Sequence, residues 1–276
     1  RAPGPGDCGS VSQSGREDRI RRLGFGGRFF PLLAFRPAYR VELPNPVAFL
    51  LDERLWHGRR MKALIAPAHG DLHGGNVICR MTGDKRPDSK ALPALIDFAQ
   101  SASRSSPFYD LAYLELDILL RKLPVIAQDD WKAWLTFTEF LTGSAQPDEA
   151  DLPMGEYFEN ACNMVSPIRA RVGAILDEMA ACGETDGRDK AGWNWWLALT
   201  AAGLMAARRK HVNHDDQRVV ALLYGARALE RLMRAMDVPF PDDCEPFVIG
   251  WNKRRGADGV IAAAGKTHSA LPPDVP

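Results

Sequence analysis

The sequence predicts a mainly helical α+β protein, and three observations carry that expectation. Five long segments after Pro107 bear apolar residues at the 3.6-residue period of a helix. Three short β-like pieces precede them, at Ala66–His69, Val77–Arg80 and Leu92–Phe98. From the end of the first piece to the start of the second runs "HGDLHGGNV" (69–77), with two histidines, an aspartate, an asparagine and three glycines. The outline is a small β element carrying a polar cluster, followed by a helical body.

In chain order, residues 1–19 are turn-formers and charges, and residues 20–45 are cut by Pro31, Pro37, Pro44 and several glycines. Residues 1–45 therefore read as an irregular or disordered segment. From Pro46, "PVAFLLDERLWHGRRMKALI" has helical spacing, with Val47, Leu50, Leu51 and Leu55 on one face. The polar stretch "TGDKRPDSK" (82–90) reads as a hairpin tip between the second and third β pieces. Helices are then expected over 108–123, 129–141, 155–182 (bent before Pro167), 190–210 and 217–236. Residues 46–241 form the expected folded body, and the Gly/Ala/Pro-rich stretch 242–276 a weakly ordered tail.

Composition narrows the class of partner. Lys plus Arg (35) equals Asp plus Glu (35), so no basic field advertises nucleic acid or a membrane surface. Neither is expected as a partner, and no apolar run reaches the length of a membrane span. The five cysteines are scattered, odd in number and never spaced C-x-x-C, which argues for a reducing, cytoplasmic setting rather than a disulfide framework. The chain starts at Arg1 with no apolar signal core, and a fragment of a longer chain is expected.

The chemistry lies in residues 69–110. His69, Asp71 and Asn76 make H-x-D-x-x-x-x-N on a loop, and twenty-one residues after Asn76 the apolar strand "ALPALI" ends in Asp97. An aspartate at the end of a buried strand needs a cation or hydrogen-bond donors to offset its desolvation. Asp71, Asn76 and Asp97 are thus expected to converge, and hard oxygen ligands of this kind suit Mg²⁺ shared with phosphate. Phosphoryl transfer needs that set. Asp71 orients or deprotonates an acceptor hydroxyl, while Asn76 and Asp97 hold the metal that neutralises the transferred phosphate.

"HGDLHGGNV" followed by "LIDF" resembles the aminoglycoside phosphotransferase and choline kinase group of the protein-kinase-like fold, with its H-G-D-x-H-x-x-N and I-D-[FW] patterns. "PFYDLA" (107–112) resembles the group's P-x-x-D-L-A, in which the aspartate starts a helix and braces the catalytic loop. The resemblance implies a protein-kinase-like C-lobe and an ATP- and Mg²⁺-dependent enzyme that phosphorylates a hydroxyl of a small molecule. It implies Asp71 as base, Asn76 and Asp97 as metal ligands, Asp110 as brace, and His69 and His73 as supporting residues. Such a fold has a nucleotide lobe ahead of the loop, with a Gly-rich strand pair, a Lys strand and a Glu helix. Before His69 there is only "GFGG" (24–27) and one lysine, Lys62, so that N-lobe is absent here and is expected upstream on the parent chain, or lost. The reading from a different class is a catalytically inactive kinase-like module of a multidomain signalling or scaffold protein.

Blander readings stand beside these. A zinc pair at His69 and His73 lacks the helix and the third ligand it needs, and His69 is expected as a packed, hydrogen-bonded scaffold residue. Trp193, Trp195 and Trp196 are expected in the core. "ARRKH" (207–211) reads as a solvated helix C-terminus, where cations suit the dipole; Glu115 and Asp117 read by default as a solvated helix face, with contact to a cationic acceptor as the alternative.

Overall fold

A computed structural model describes residues 32–36, 41–51, 60–88, 90–122, 131–143, 156–183, 188–209, 215–239 and 247–250. It is mainly helical with short strands. The glycine stretch at 24–27, residues 52–59 of the expected first helix, and residues beyond 250 lie outside the described residues.

The five helices after Pro107 form where the periodicity puts them: α2 (Pro107–Lys122), α3 (Trp131–Gly143), α4 (Glu156–Ala181), α5 (Arg188–Arg208) and α6 (Asp215–Ala235). On α2, Phe108, Ala112, Leu116, Leu119 and Leu120 are buried, the stripe that a 3.6-residue period creates. Pro107 is the first residue of α2, where its missing N–H costs nothing and its fixed φ suits the helix. Pro167 lies inside α4, which is assigned as one helix through it. Two helix ends are closed by side chains of α6: Gln217 donates to the Leu120 carbonyl (2.8 Å) and Arg218 to the Ala207 carbonyl (2.7 Å).

Helices α5 and α6 cross most closely at Gly203 and Gly225. A Cβ built on Gly203 would stand 2.6 Å from the Ala221 carbonyl oxygen and 2.7 Å from the Gly225 Cα. Only glycine allows that approach. Trp195, 1% exposed, fills the space beneath Phe108 in edge contact, while Trp193 and Trp196 are partly buried against the Leu229–Leu232 end of α6.

The core holds an ion pair that the sequence reading missed. Glu115, read as part of a solvated face, is fully buried on α2 and accepts from Arg169 of α4 at 2.6 and 2.5 Å. Arg169 also donates to the Leu141 carbonyl (2.6 Å) and the Tyr224 hydroxyl (2.7 Å), and its guanidinium lies over the Trp195 ring. Burial alone disfavours the Arg169 cation, but the Glu115 carboxylate outweighs it and holds the guanidinium charged. Burial pushes the Tyr224 phenol well above its ordinary value, so Tyr224 keeps its proton and its hydroxyl donates a hydrogen bond to Glu115. One network thus ties α2, α3, α4 and α6.

Strands appear where irregular chain was expected. β1 (Leu32–Arg36) and β2 (Val41–Pro44) pair antiparallel, and β7 (Phe247–Gly250), inside the expected weakly ordered tail, joins β1 in parallel. The prolines fall outside β1 and at the last residue of β2, where they remove no central ladder bond. Leu43 of β2 is fully buried in the helical core, which is what anchors this sheet. Asn45 then caps α1 (Pro46–Leu51) by accepting from the Val47 amide at 3.0 Å. On α1, Val47 is buried as expected but Leu50 is 56% exposed. Residues 60–65 are not helical; Asn194 of α5 holds them by accepting from the Leu64 amide and donating to the Lys62 carbonyl.

Candidate functional site

Two small ladders carry the polar loop. β3 (Ala66–Ala68) pairs antiparallel with β6 (Ala102–Ser105), and β4 (Val77–Ile78) with β5 (Ala94–Leu95). The stretch expected as a hairpin tip does connect β4 to β5, and Met81 bridges Pro87 within it. Strand β6 lies beyond the three pieces that the sequence pattern marked, because "ASRS" has no apolar alternation to betray it.

Asp110 is the anchor of the loop. It sits in the first turn of α2, 8% exposed, with Oδ2 accepting from the His69 amide (2.6 Å) and Oδ1 from the Gly70 amide (2.8 Å). A carboxylate so placed also suits the positive end of the helix. Gly70 has φ +81°, and a Cβ there would lie 2.2 Å from the Gln100 carbonyl oxygen. Glycine is required twice over, by the left-handed backbone and by the close approach. Replacing Asp110 by Ala should therefore loosen the loop before the fold: amide exchange should speed up at residues 69–76 and stay slow in α5 and α6. Uniform loss of protection would assign Asp110 to the global core.

The remaining loop residues are each held. His69 is 5% exposed, its Nε2 pairs with the Ile96 carbonyl at 2.8 Å, and its ring tilts against Phe98. This is a packed scaffold position, although its Nδ1 is buried without a partner. His73 caps the 3₁₀ turn Gly74–Asn76, its Nδ1 accepting from the Gly75 amide (3.1 Å). Asn76 is 6% exposed; its Nδ2 donates to the Asp71 carbonyl (2.9 Å) and its own carbonyl accepts from the Ile96 amide (3.1 Å). That leaves the Asn76 side-chain oxygen uncommitted. Gly74 donates to Asp117 Oδ2 (2.9 Å), which also accepts from Arg121 Nε at 2.7 Å. Asp117 is thus tied to the loop rather than merely solvated.

Asp71 departs from the expected picture in one respect. Its Oδ1 is ion-paired with Arg209, whose guanidinium lies over the Tyr113 ring, 4.9 Å from its centre. Arg209 belongs to the "ARRKH" stretch read as a solvated helix end, and 138 residues separate it from Asp71. Sequence spacing carries no signal for such a pair. Burial pushes the Tyr109 phenol up to about 12, so this ring, stacked on Tyr113, stays neutral.

Asp97 is where the sequence reading needs its main correction. The chain before it is exposed rather than buried, with Leu95 and Ile96 43% and 40% exposed, and Phe98 after it is 54% exposed. Each ladder strand here is only two residues long, so its apolar side chains face outward instead of into the core. Asp97 itself is exposed, at φ 59°, with no side-chain cap bond. It is nonetheless fixed beside the loop, because both backbone polar groups of the preceding Ile96 bind loop residues, the amide to Asn76 and the carbonyl to His69. Among the described residues no group of three or more His, Cys, Asp or Glu forms a metal cage. Among the same residues no helix is long and apolar enough to cross a membrane.

Comparison with known proteins adds one finding. No curated protein and no solved structure matches the chain. A family model does match, over residues 36–181, from β1 through the polar loop to the end of α4. That is a little over half of the chain, and on it the protein belongs to the family described as Ternary complex associated domain 9.

Proposed function

We propose that the protein is a phosphotransferase of the aminoglycoside phosphotransferase type, the C-lobe of a protein-kinase-like fold that moves the γ-phosphoryl group of Mg²⁺-ATP onto a hydroxyl of a small molecule. The observation that carries this reading is the loop clamp. Asp110 grips the amides of His69 and Gly70, and Asn76 spends its amide nitrogen on the Asp71 carbonyl. The groups left over are oxygens: Asp71 Oδ2, Asn76 Oδ1 and the exposed carboxylate of Asp97. A clamp that fixes the backbone and leaves oxygens free on three side chains suits positioning and charge neutralisation, which supply most of the acceleration in phosphoryl transfer.

Asn76 and Asp97 fit Mg²⁺ by chemistry. Both offer hard oxygen, and Mg²⁺ needs only one or two protein ligands when waters and phosphate oxygens complete its shell. Bound there, the ion would neutralise charge on the phosphates. The chain's own residues then do the rest. Arg209 holds Asp71 through one carboxylate oxygen, which leaves the other to accept the hydroxyl hydrogen bond and orient the attack. Asp71 acts as base, Arg209 as its positioning residue, and His69 and His73 keep the loop in register.

The second reading, a catalytically inactive kinase-like module, draws on the family's printed name, which speaks of association in a ternary complex. Nucleotide separates the two. Millimolar Mg²⁺ with ATP should raise the melting temperature of the longest available form of the protein, and Asp97→Asn should abolish the rise by removing the charged ligand. An equal rise in Asp97→Asn would reject the metal assignment, and no rise in the wild type would favour the inactive module.

A further inference from the structure

Beside the proposed base lies a cleft of about 100 Å³ lined by His73, Tyr113, Asp117, Arg121, Ala206 and Arg209. Its hydrogen-bonding groups are mostly donors. Arg121 spends Nε on Asp117 and is 56% exposed, so the two terminal nitrogens of its fork remain uncommitted. They sit over the glycines of the 3₁₀ turn, with one terminal nitrogen 3.7 Å from where a Gly75 Cβ would be. Arg209 gives one nitrogen to Asp71 and keeps the others, its plane supported by the Tyr113 ring. His73 accepts through Nδ1 from the Gly75 amide, so the ring proton is on Nε2 and that atom also donates. Among the described lining residues the carboxylate is Asp117, which already receives the Gly74 amide and Arg121 on a single oxygen.

We infer that this cleft binds an anionic group of the acceptor, a carboxylate or a phosphate, and that the acceptor is a hydroxylated acid and not a polycation. Two guanidinium forks with spare parallel N–H groups match the paired oxygens of such an anion. A polycationic acceptor would meet both arginines at close range, and among the described lining residues the carboxylate it would meet, Asp117, is already paired with Arg121. Because Arg209 touches Asp71 as well as lining the cleft, an anion seated there sets its hydroxyl toward the free oxygen of Asp71. The acceptor class rests on the phosphotransferase reading; the anion site does not.

The test is a calorimetric titration of the protein with inorganic phosphate and, separately, with spermidine. Phosphate should bind saturably at millimolar concentration, and Arg121→Gln should weaken it about 10-fold, the worth of one charge-assisted hydrogen bond. Arg121 is exposed and its loss leaves the core intact, so the variant should fold, and Arg121→Lys should recover part of the affinity. Asp97→Asn should leave phosphate binding unchanged, which separates this site from the metal ligands. Absence of saturable phosphate binding, phosphate binding indifferent to Arg121→Gln, or saturable spermidine binding would each overturn the inference. A protein that binds phosphate through Arg121 yet gives no melting rise with Mg²⁺-ATP would keep the anion site and lose the phosphotransferase.

Discussion

Asp71→Asn is expected to lower kcat by about 10²–10⁴-fold with an identified acceptor, the share that general-base assistance commonly supplies. Nucleotide affinity should barely change, because in the proposed site Asp71 would face the acceptor hydroxyl and the nucleotide would be held through the metal. The amide removes the carboxylate's charge but keeps its shape, so it also removes the partner of Arg209. Arg209→Gln should then cost less than Asp71→Asn, since it loosens the base without neutralising it. The contrast is read from steady-state kinetics alone. Full activity in Asp71→Asn would reject Asp71 as the base, and equal losses in both variants would mean that the ion pair, not the carboxylate, is what catalysis needs.

Glu115→Ala is expected to destabilise the fold by about 3–5 kcal/mol, because it removes the Glu115 carboxylate from the charged, buried Arg169 guanidinium. For a helical body of this size that corresponds to a fall in Tm of about 10 °C. Two other partners of Arg169, the Leu141 carbonyl and the Tyr224 hydroxyl, carry no full charge and offset little of it. Replacing both members, Glu115→Leu with Arg169→Met, should recover much of the loss, since a well-packed apolar pair is often as stable as a buried ion pair. A fall in Tm of only a degree or two in Glu115→Ala would show that water reaches Arg169.

What was legible in the sequence followed from periodicity and local chemistry. The five helices after Pro107 are long, and each carries an apolar stripe that only a helix can bury, so their bounds differ from the expected ones by two residues or fewer at every end. The polar loop was legible because glycines, histidines and acids at that density serve no core. Asp110 was found by its motif, and its partners, the amides of His69 and Gly70, are backbone groups of the loop it was expected to brace.

What was illegible was set by distance along the chain. The Glu115–Arg169 and Asp71–Arg209 pairs join residues 54 and 138 apart, and nothing local distinguishes these arginines from solvated ones. Asp97 was read as ending a buried strand because "ALPALI" is apolar, whereas a two-residue strand in an isolated ladder has no second layer to bury it. The β1–β2–β7 sheet escaped for a similar reason: β7 meets β1 from more than 200 residues away, and the burial of Leu43 in the helical core joins β2 to residues far along the chain.

If residues 69–97 hold a phosphoryl-transfer site built on metal-binding oxygens, ATP titrated into the wild-type protein should bind saturably in Mg²⁺ and lose that binding in chelator. The same titration of Asp97→Asn should show no Mg²⁺ dependence. Binding that is indifferent to Mg²⁺, or equally Mg²⁺-dependent in both proteins, would rule that site out.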